Sequence, residues 1–228
     1  MTTIYLVRHG QASVGKENYD QLSELGYKQA SILGTHWQQF EQPHQCYAGD
    51  MVRHGQTAES FFKGLGQSHP VIKHEGFNEF DHEDVLRCYQ PEWQTTKHFG
   101  DYIKQQSDPK KALLTEFSNA TQRWLSGQHN DYQESFVHFK QRAIQSLFDI
   151  LTEDLIDRRI MIFTSAGIIS AICGYIYGLN DQELLGLNQR IVNSSVSKLH
   201  YKNNQLEIEY FNNYGCLEQV DKNHVTLV

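Results

Sequence analysis

The sequence predicts an α/β fold, a three-layer sandwich with a mainly parallel central sheet and a helical cap insertion. Short apolar stretches typical of buried strands recur along the chain, and most are followed by segments with helical spacing of apolar residues. The pattern changes over residues 84–132, where aromatic and charged residues mix, two prolines occur and no strand-like alternation is present. This middle segment predicts a helical insertion over one edge of the sheet.

The first half of the chain alternates strands with helices. Residues 4–7 form a continuous apolar run that predicts a buried strand, and a polar loop over 15–21 follows. Ser23 is a suitable N-cap for a helix that reaches about residue 40. The next predicted elements are a short strand over 46–49, a helix over 52–63, a short strand over 71–74 and an acidic loop over 77–83.

The second half predicts a long amphipathic helix, a buried strand and a hairpin. A helix over 134–154 would place five apolar residues on one face: Phe136, Phe139, Ala143, Leu147 and Ile150. A strand over 159–164 leads into a helix over 168–177. Strands over 195–201 and 206–211, joined by a short polar turn, predict the hairpin.

Bulk composition limits the class of protein. The 228 residues are enough for one sizeable core, so we expect a single domain over 1–228 with the cap insertion at about 84–132. The net charge of -7 argues against nucleic acid or an anionic membrane surface as a partner. The longest apolar stretch, residues 160–179, is interrupted by polar residues and glycines, which favours a strand and a packed helix over a membrane span.

The N-terminal sequence and the spacing of the cysteines favour a cytoplasmic protein. The first predicted strand starts at about residue 3, which leaves no room for a signal peptide. The four cysteines are far apart and form no Cys-x-x-Cys pair, so neither a zinc site nor a disulfide framework is indicated. We expect them to be reduced thiols.

The end of the first predicted strand carries the tripeptide Arg8-His9-Gly10. The planar guanidinium of an arginine matches a phosphate edge, and a neutral histidine is a nucleophile or general base near physiological pH. A glycine lets the backbone approach a ligand closely. The tripeptide alone is equally compatible with an ordinary strand end that carries surface side chains.

Further polar residues follow other predicted strands. Arg53 comes after the second, Glu79 after the third, and Thr-Ser-Ala-Gly over 164–167 after the strand at 159–164. Strand ends in a doubly wound sheet can converge on one edge. Two arginines, a histidine and a carboxylate at one site would suit phosphoryl transfer through a nitrogen nucleophile.

Four motifs in order along the chain resemble those of the histidine phosphatase superfamily, which has the phosphoglycerate mutase-like fold. They are Leu-Val-Arg-His-Gly-Gln-Ala-Ser over 6–13, Asp-Gln-Leu-Ser-Glu-Leu-Gly-Tyr-Lys-Gln-Ala over 20–30, Arg-His-Gly-Gln-Thr-Ala over 53–58 and Asn-Glu-Phe-Asp over 78–81. The resemblance implies that His9 attacks phosphorus and carries a phosphohistidine, while Arg8 and Arg53 hold the phosphoryl oxygens. Glu79 would protonate the leaving group and then activate water. The resemblance implies no metal and no other cofactor.

The chain departs from the family at one position. The family has a second active-site histidine within Ser-His-Gly, and this chain has Ser165-Ala166-Gly167. Losing one preorganised donor to a developing charge costs on the order of 10²–10³ in rate, so a slower phosphatase is expected. The alanine fits either a divergent natural branch or an engineered substitution.

Other polar groups could compensate for this alanine. His54, His82 and the Gly167 amide are candidates, and each histidine could equally be an ordinary packed or surface residue. The predicted substrate contacts are Ser13, Ser165, Gly167 and Asn193.

Three activities remain open. A phosphomonoesterase acting on a small phosphorylated substrate is favoured, because the loop over 12–19 lacks the Trp-Asn step of the mutases in this family. A phosphoglycerate mutase is therefore less favoured. The third alternative, motivated by Ala166, is a protein that binds inorganic phosphate or regulates a partner with little turnover. The sequence predicts neither the physiological substrate nor the oligomeric state.

Overall fold

The computed structural model describes residues 1–13, 20–151 and 158–227. Within this part of the chain, six strands form one mixed sheet in the order β3-β2-β4-β1-β5-β6. The strands are β1 Thr2–Arg8, β2 Gln45–Ala48, β3 Ile72–Lys73, β4 Arg159–Thr164, β5 Val196–Lys202 and β6 Gln205–Asn213. The pairs β1–β4, β2–β4 and β2–β3 are parallel, whereas β5 runs antiparallel to both β1 and β6. The predicted α/β class with a mainly parallel sheet is therefore confirmed.

The described helices alternate with the strands of this sheet and also fill the middle of the chain. They are α1 Glu24–Trp37, α2 Val52–Leu65, α3 His82–Tyr89, α4 Thr96–Lys104, α5 Pro109–Leu125, α6 Phe136–Ile150, α7 Ala166–Tyr177, α8 Asp181–Asn188 and α9 Gly215–Val220. Two short 3-10 helices, Glu75–Phe77 and Lys222–His224, complete the list.

The core forms because β1 and β4 lie in the interior of the sheet and carry apolar side chains on both faces. On one face, Val7 and Phe163 join an apolar cluster with Leu33 of α1 and Phe61 of α2. Side chains alternate along a strand, so Leu6 points to the opposite face, where it is fully buried. Helix α7 also contacts β1. The carboxyl ends of β1 and β4 are thereby buried in the core, and both lead directly into the segments singled out above.

The chain divides into two compact units. One comprises Met1–Glu79 together with Ala143–Val228, and the other comprises Phe80–Arg142. The second unit contains α3, α4, α5 and the start of α6. Its interior is aromatic, since the Trp124 ring lies 4.7 Å from the Phe80 ring and 5.0 Å from the Phe136 ring. The segment predicted as a helical insertion is helical, and its role as a cap stays a prediction.

Most predicted elements occur within a few residues of their expected bounds. Ser23 is the N-cap of α1 and its side chain accepts from the Gly26 amide, although the helix ends at Trp37. The five residues predicted on one face of α6 are all buried. The hairpin is present, and its two-residue turn, Asn203 and Asn204, has positive φ at both positions.

Some boundaries differ from the predictions. The predicted acidic loop over 77–83 already contains the start of α3, because the Asp81 side chain caps the helix by accepting from the amides of Glu83 and Asp84. Helices α8 and α9 were not predicted. In α8 the signal was present, since Asn180 and Glu183 form a capping box. Residues 152–154 of the predicted long helix, and 15–19 of the first polar loop, lie outside the described residues.

The apolar stretch over 160–179 is divided between β4 and α7. Among the described residues, no helix has the length and apolar character needed to cross a membrane. All four cysteines, Cys46, Cys88, Cys173 and Cys216, are free.

Candidate active site

The backbone of His9 is fixed at the carboxyl end of β1. Its amide donates to the Thr164 carbonyl at 2.8 Å, which extends the pairing of β1 with β4. Its carbonyl accepts from the Ser194 amide and from Nδ2 of Asn193, both at 3.2 Å. Ser194 adopts a positive φ of 56° to make this turn. Because both backbone groups of His9 are bonded, the direction of its side chain is well determined.

The imidazole of His9 is oriented and held neutral. The ring is buried, and Nδ1 lies 2.7 Å from the Gly10 carbonyl oxygen. A carbonyl only accepts, so Nδ1 carries the ring proton and Nε2 keeps its lone pair. Burial, followed by the charges of Arg53 and Arg8, lowers the pKa of His9 well below its ordinary value. His9 therefore presents an unprotonated Nε2 at neutral pH.

Two glycines allow the segment after His9 to approach α1. A Cβ added to Gly10 would lie 2.3 Å from the Gly26 carbonyl oxygen, and one added to Gly26 would lie 2.2 Å from the Gln11 carbonyl oxygen, so this contact requires glycine at both positions. The Gly10 amide donates to Oγ1 of Thr57 at 3.1 Å, and that hydroxyl donates to the Arg53 carbonyl at 2.6 Å. The Gln11 amide donates to the fully buried Gln29 side chain at 2.8 Å. The loop is thus bonded to both α1 and α2.

The two arginines reach the site from different elements. Arg53 lies in the first turn of α2 and is buried, with Nη1 2.7 Å from Oδ1 of Asp20. The other oxygen of Asp20 accepts from the Val52 amide at 2.8 Å, at the N-terminus of α2. Arg8, at the end of β1, donates through Nη1 to the Ile191 carbonyl. Both guanidinium charges contribute to the lowered pKa of His9, and the grouping of His9, Arg8 and Arg53 in one phosphate site stays a prediction.

Glu79 lies against the N-terminus of α7. Its Oε2 accepts from the Gly167 amide at 2.9 Å, and a Cβ added to Gly167 would lie only 1.9 Å from its Oε1. The partial positive charge at a helix N-terminus favours a carboxylate there. The Thr164 hydroxyl donates to the Phe77 carbonyl at 2.7 Å, which ties the segment before Glu79 to β4.

The predicted substrate contacts all lie in the unit that contains His9, and each has a partner within the protein. Ser13 Oγ donates to the Leu22 carbonyl at 3.0 Å. The Gly167 amide donates to Glu79. Ser165 is fully buried and its Oγ lies 2.6 Å from Nε2 of His54. Direct contact of Ser13, Gly167 or Ser165 with substrate stays a prediction.

Asn193 is fully buried beneath the site. Its Nδ2 donates to the His9 carbonyl, and its Oδ1 accepts from the Thr226 hydroxyl at 2.9 Å. One polar end of this side chain therefore holds the backbone of His9 and the other is bonded to Thr226, and substrate contact by Asn193 also stays a prediction.

Sequence reasoning did not single out several residues that build the site. Thr57, Gln29 and Asp20 lie inside the motifs, but their contacts with Gly10, Gln11 and Arg53 were not anticipated. For Gln29 a signal existed, because it is a polar residue on the buried face of α1. His82, considered as a compensating residue, begins α3 in the second unit. Residues 14–19, most of the loop compared with the mutases, lie outside the described residues.

Within residues 1–13, 20–151 and 158–227, no group of three or more His, Cys, Asp or Glu side chains is arranged to hold a metal ion.

A neutral histidine and an arginine at the end of one parallel strand, with a carboxylate at the N-terminus of the helix that follows the neighbouring strand β4, are compatible with a phosphoryl-transfer site on an α/β sheet. The family model of the histidine phosphatase superfamily (branch 1) matches residues 4–109 and 96–214. The chain therefore belongs to the histidine phosphatase superfamily. A comparison with curated protein sequences gave no match.

Solved structures share the fold at low identity. A phosphoserine phosphatase variant from Entamoeba histolytica, in complex with phosphoserine, is 16% identical, with a TM-score of 0.66 over 95% of this chain and 100% of that one. A phosphoglycerate mutase from Bacillus anthracis is 15% identical, with a TM-score of 0.64 over 94% of each chain. A mycobacterial glucosyl-3-phosphoglycerate phosphatase with inorganic phosphate is 19% identical, with a TM-score of 0.62 over 92% and 97%. These likenesses establish the phosphoglycerate mutase-like fold.

Proposed function

We propose that this protein is a metal-independent phosphomonoesterase that acts through a phosphohistidine on His9. The observation that carries the proposal is the state of the His9 imidazole, which is buried and neutral with Nδ1 bonded to the Gly10 carbonyl. This leaves Nε2 as a nucleophile within the field of two guanidinium groups. A nitrogen nucleophile splits one difficult displacement at phosphorus into two easier ones.

The reaction would proceed in two balanced steps. His9 Nε2 attacks phosphorus, the N–P bond forms and the P–O bond to the alcohol breaks, while Glu79, which must take up a proton in the substrate complex, gives that proton to the leaving oxygen. Water then attacks the phosphohistidine, Glu79 takes a proton from that water, and the N–P bond breaks to release inorganic phosphate. Arg8 and Arg53 neutralise charge on the phosphoryl oxygens in both steps. Arg53 must exchange part of its contact with Asp20 for the substrate.

The proposed substrates are small phosphate monoesters. The named phosphatases with this fold act on compounds such as phosphoserine and glucosyl-3-phosphoglycerate, which supports this class without selecting a member. A mutase shares the fold, so the choice of hydrolysis over net isomerisation is supported by the absence of a Trp-Asn step over 12–19.

The test is release of p-nitrophenol from p-nitrophenyl phosphate in the presence of a chelator. His9→Asn is the informative variant, because the Asn amide can still donate to the Gly10 carbonyl while Nε2 is lost. His224→Asn is the matched control, since His224 is also a buried histidine of the same unit. We expect turnover and an acid-labile, base-stable phosphoenzyme in the wild type and the control, and neither in His9→Asn.

A second candidate is a phosphate-binding protein with little turnover, which Ala166 favours because the expected second histidine is missing. Equal background rates in the wild type and His9→Asn, together with phosphate binding to the wild type, would support this candidate. Isomerisation of a phosphoglycerate faster than its hydrolysis would instead indicate a mutase.

A further inference from the structure

His54 is a buried histidine that the proposed mechanism has not used. It follows Arg53 in the first turn of α2 and is fully buried. Its ring centroid lies 5.8 Å from that of His9. Its Nε2 lies 2.6 Å from Oγ of Ser165, the residue directly before Ala166. The imidazole therefore reaches from α2 to the very segment in which the family's second histidine is missing.

Gly49 provides the space for this ring. A Cβ added at Gly49 would lie 2.3 Å from Nδ1 of His54. Gly49 is not among the glycines with positive φ, so the backbone conformation at this position does not require glycine. Glycine is needed here for space, which is occupied by the His54 ring and also by Oδ1 of Asn78 and the Phe77 carbonyl oxygen, each 2.8 Å from the added Cβ.

The surroundings of the ring determine its tautomer. Nδ1 is buried beside Gly49 and has no hydrogen-bonding partner among the described residues. A buried donor without a partner is rarer than an under-satisfied acceptor, so the ring proton belongs on Nε2. Nε2–H then donates to Ser165 Oγ, which accepts this bond through one of its lone pairs.

Ser165 is consequently left with a proton to give. It is the N-cap residue of α7, yet its side chain makes no capping bond. Within the described part of the chain, its side-chain hydrogen bond is the one with His54. A hydroxyl that accepts from an imidazole N–H has its own O–H free to donate in another direction, and accepting one bond strengthens the next.

We propose that Ser165 and His54 together replace the donor lost at Ala166: Ser165 Oγ–H contacts the transferring phosphoryl group, and His54 orients that hydroxyl from behind. This inference rests on the proposed phosphatase activity. Ser165 is then a catalytic residue and His54 a positioning residue. The loss caused by an alanine at 166 is compensated through a contact between residues 111 positions apart.

The experiment measures kcat, KM and phosphate affinity in a set of matched variants. Ser165→Ala removes the donor, and we expect kcat to fall about 10²-fold with a smaller change in KM. Ser170→Ala is its control, because Ser170 is a fully buried serine of the same helix. His54→Leu removes the orienting N–H and should lower kcat on the order of tenfold. His54→Gln keeps an N–H near the Nε2 position and should retain most of the rate.

Two combinations separate this role from a merely structural one. The Ser165→Ala/His54→Leu double variant should be no slower than Ser165→Ala alone, because the two residues act as a unit. Adding Ala166→His to Ser165→Ala should restore at least about tenfold in kcat. Multiplicative losses in the double variant, no rescue by Ala166→His in a folded protein, or a Ser165→Ala rate within threefold of wild type would each overturn the proposal.

The proposed function and this inference can fail separately. If release of nitrophenol does not depend on His9, the phosphatase proposal fails. The contact between Ser165 and phosphate is then tested by phosphate titrations of the wild type and Ser165→Ala, independently of turnover. Weaker phosphate binding by Ser165→Ala but not by Ser170→Ala would support the Ser165 donor. Equal affinities would overturn it.

Discussion

Glu79 and Gly167 offer a substitution whose effect on activity should far exceed its effect on stability. Gly167 is the second residue of α7, and a Cβ there would lie 1.9 Å from Oε1 of Glu79 and 2.8 Å from its Cδ. Non-bonded heavy atoms approach to about 3.5 Å. Gly167→Ala therefore forces the Glu79 carboxylate to move by roughly 1.5 Å.

The consequence for stability is a difference of two terms. Replacing a helical glycine by alanine stabilises by roughly 0.5–1 kcal/mol. Losing the bond from the Gly167 amide to the Glu79 carboxylate costs about 1.5–3 kcal/mol, as is usual for hydrogen bonds to charged groups. We expect a net loss of about 0.5–2.5 kcal/mol in the free energy of unfolding, which leaves the protein folded.

The consequence for catalysis depends on the leaving group. A displaced general acid costs about 10²–10⁴ in rate when the leaving alcohol needs a proton. Nitrophenolate leaves without one. Phosphorylation of His9 in Gly167→Ala should therefore slow about 10²–10⁴-fold with glycerol 2-phosphate and by much less with p-nitrophenyl phosphate, as measured by rapid quench.

Gly186→Ala is the matched control for this experiment. Gly186 lies within α8, and nothing lies within 4 Å of a Cβ added there. This variant should gain up to about 1 kcal/mol in stability with unchanged rates. A Gly167→Ala protein that turns over glycerol 2-phosphate at the wild-type rate would refute the assignment of Glu79 as the acid.

Three further predictions follow from the same site. Asp20→Asn should increase the affinity for phosphate, measured by calorimetry, up to about five-fold, because the partly exposed Asp20 carboxylate competes with phosphate for Arg53. Weaker binding would contradict this. Burial lowers the pKa of His9 and of His54, so below pH 6.5 the unfolded chain binds protons that the folded chain does not. The free energy of unfolding should thus fall with decreasing pH by up to about 1.4 kcal/mol per pH unit for each histidine. In the His9→Asn/His54→Asn double variant, the free energy of unfolding from urea titrations should depend less steeply on pH; an unchanged dependence would refute this. Asn193→Ala removes a buried donor to the His9 carbonyl and should lower the free energy of unfolding in urea by about 1–3 kcal/mol. An unchanged urea midpoint would contradict this prediction.

The order of strands and helices could be predicted from the sequence because its signals are local. The apolar runs of β1 and β4, the Ser23 cap and the single buried face of α6 each involve residues close in the chain. Short helices such as α9 carry too few residues for a periodic pattern, and they were missed.

The site could be predicted only in part, because sequence signals are local and the contacts within the site are not. Sequence motifs predicted His9, Arg8, Arg53 and Glu79 as site residues, and the charges of both arginines contribute to the lowered pKa of His9. The roles of these four residues and of Ala166 stay predictions.

What the sequence by itself determined is the family, the class of sheet and the identity of the charged groups, since these depend on residue type and spacing along the chain. Only the tertiary structure decided which groups meet. Asn193 reaches His9 across 184 positions, and His54 reaches Ser165 across 111. Such contacts depend on strand register, on helix packing and on the room that one glycine leaves for a neighbouring ring, and none of these is encoded in a local pattern.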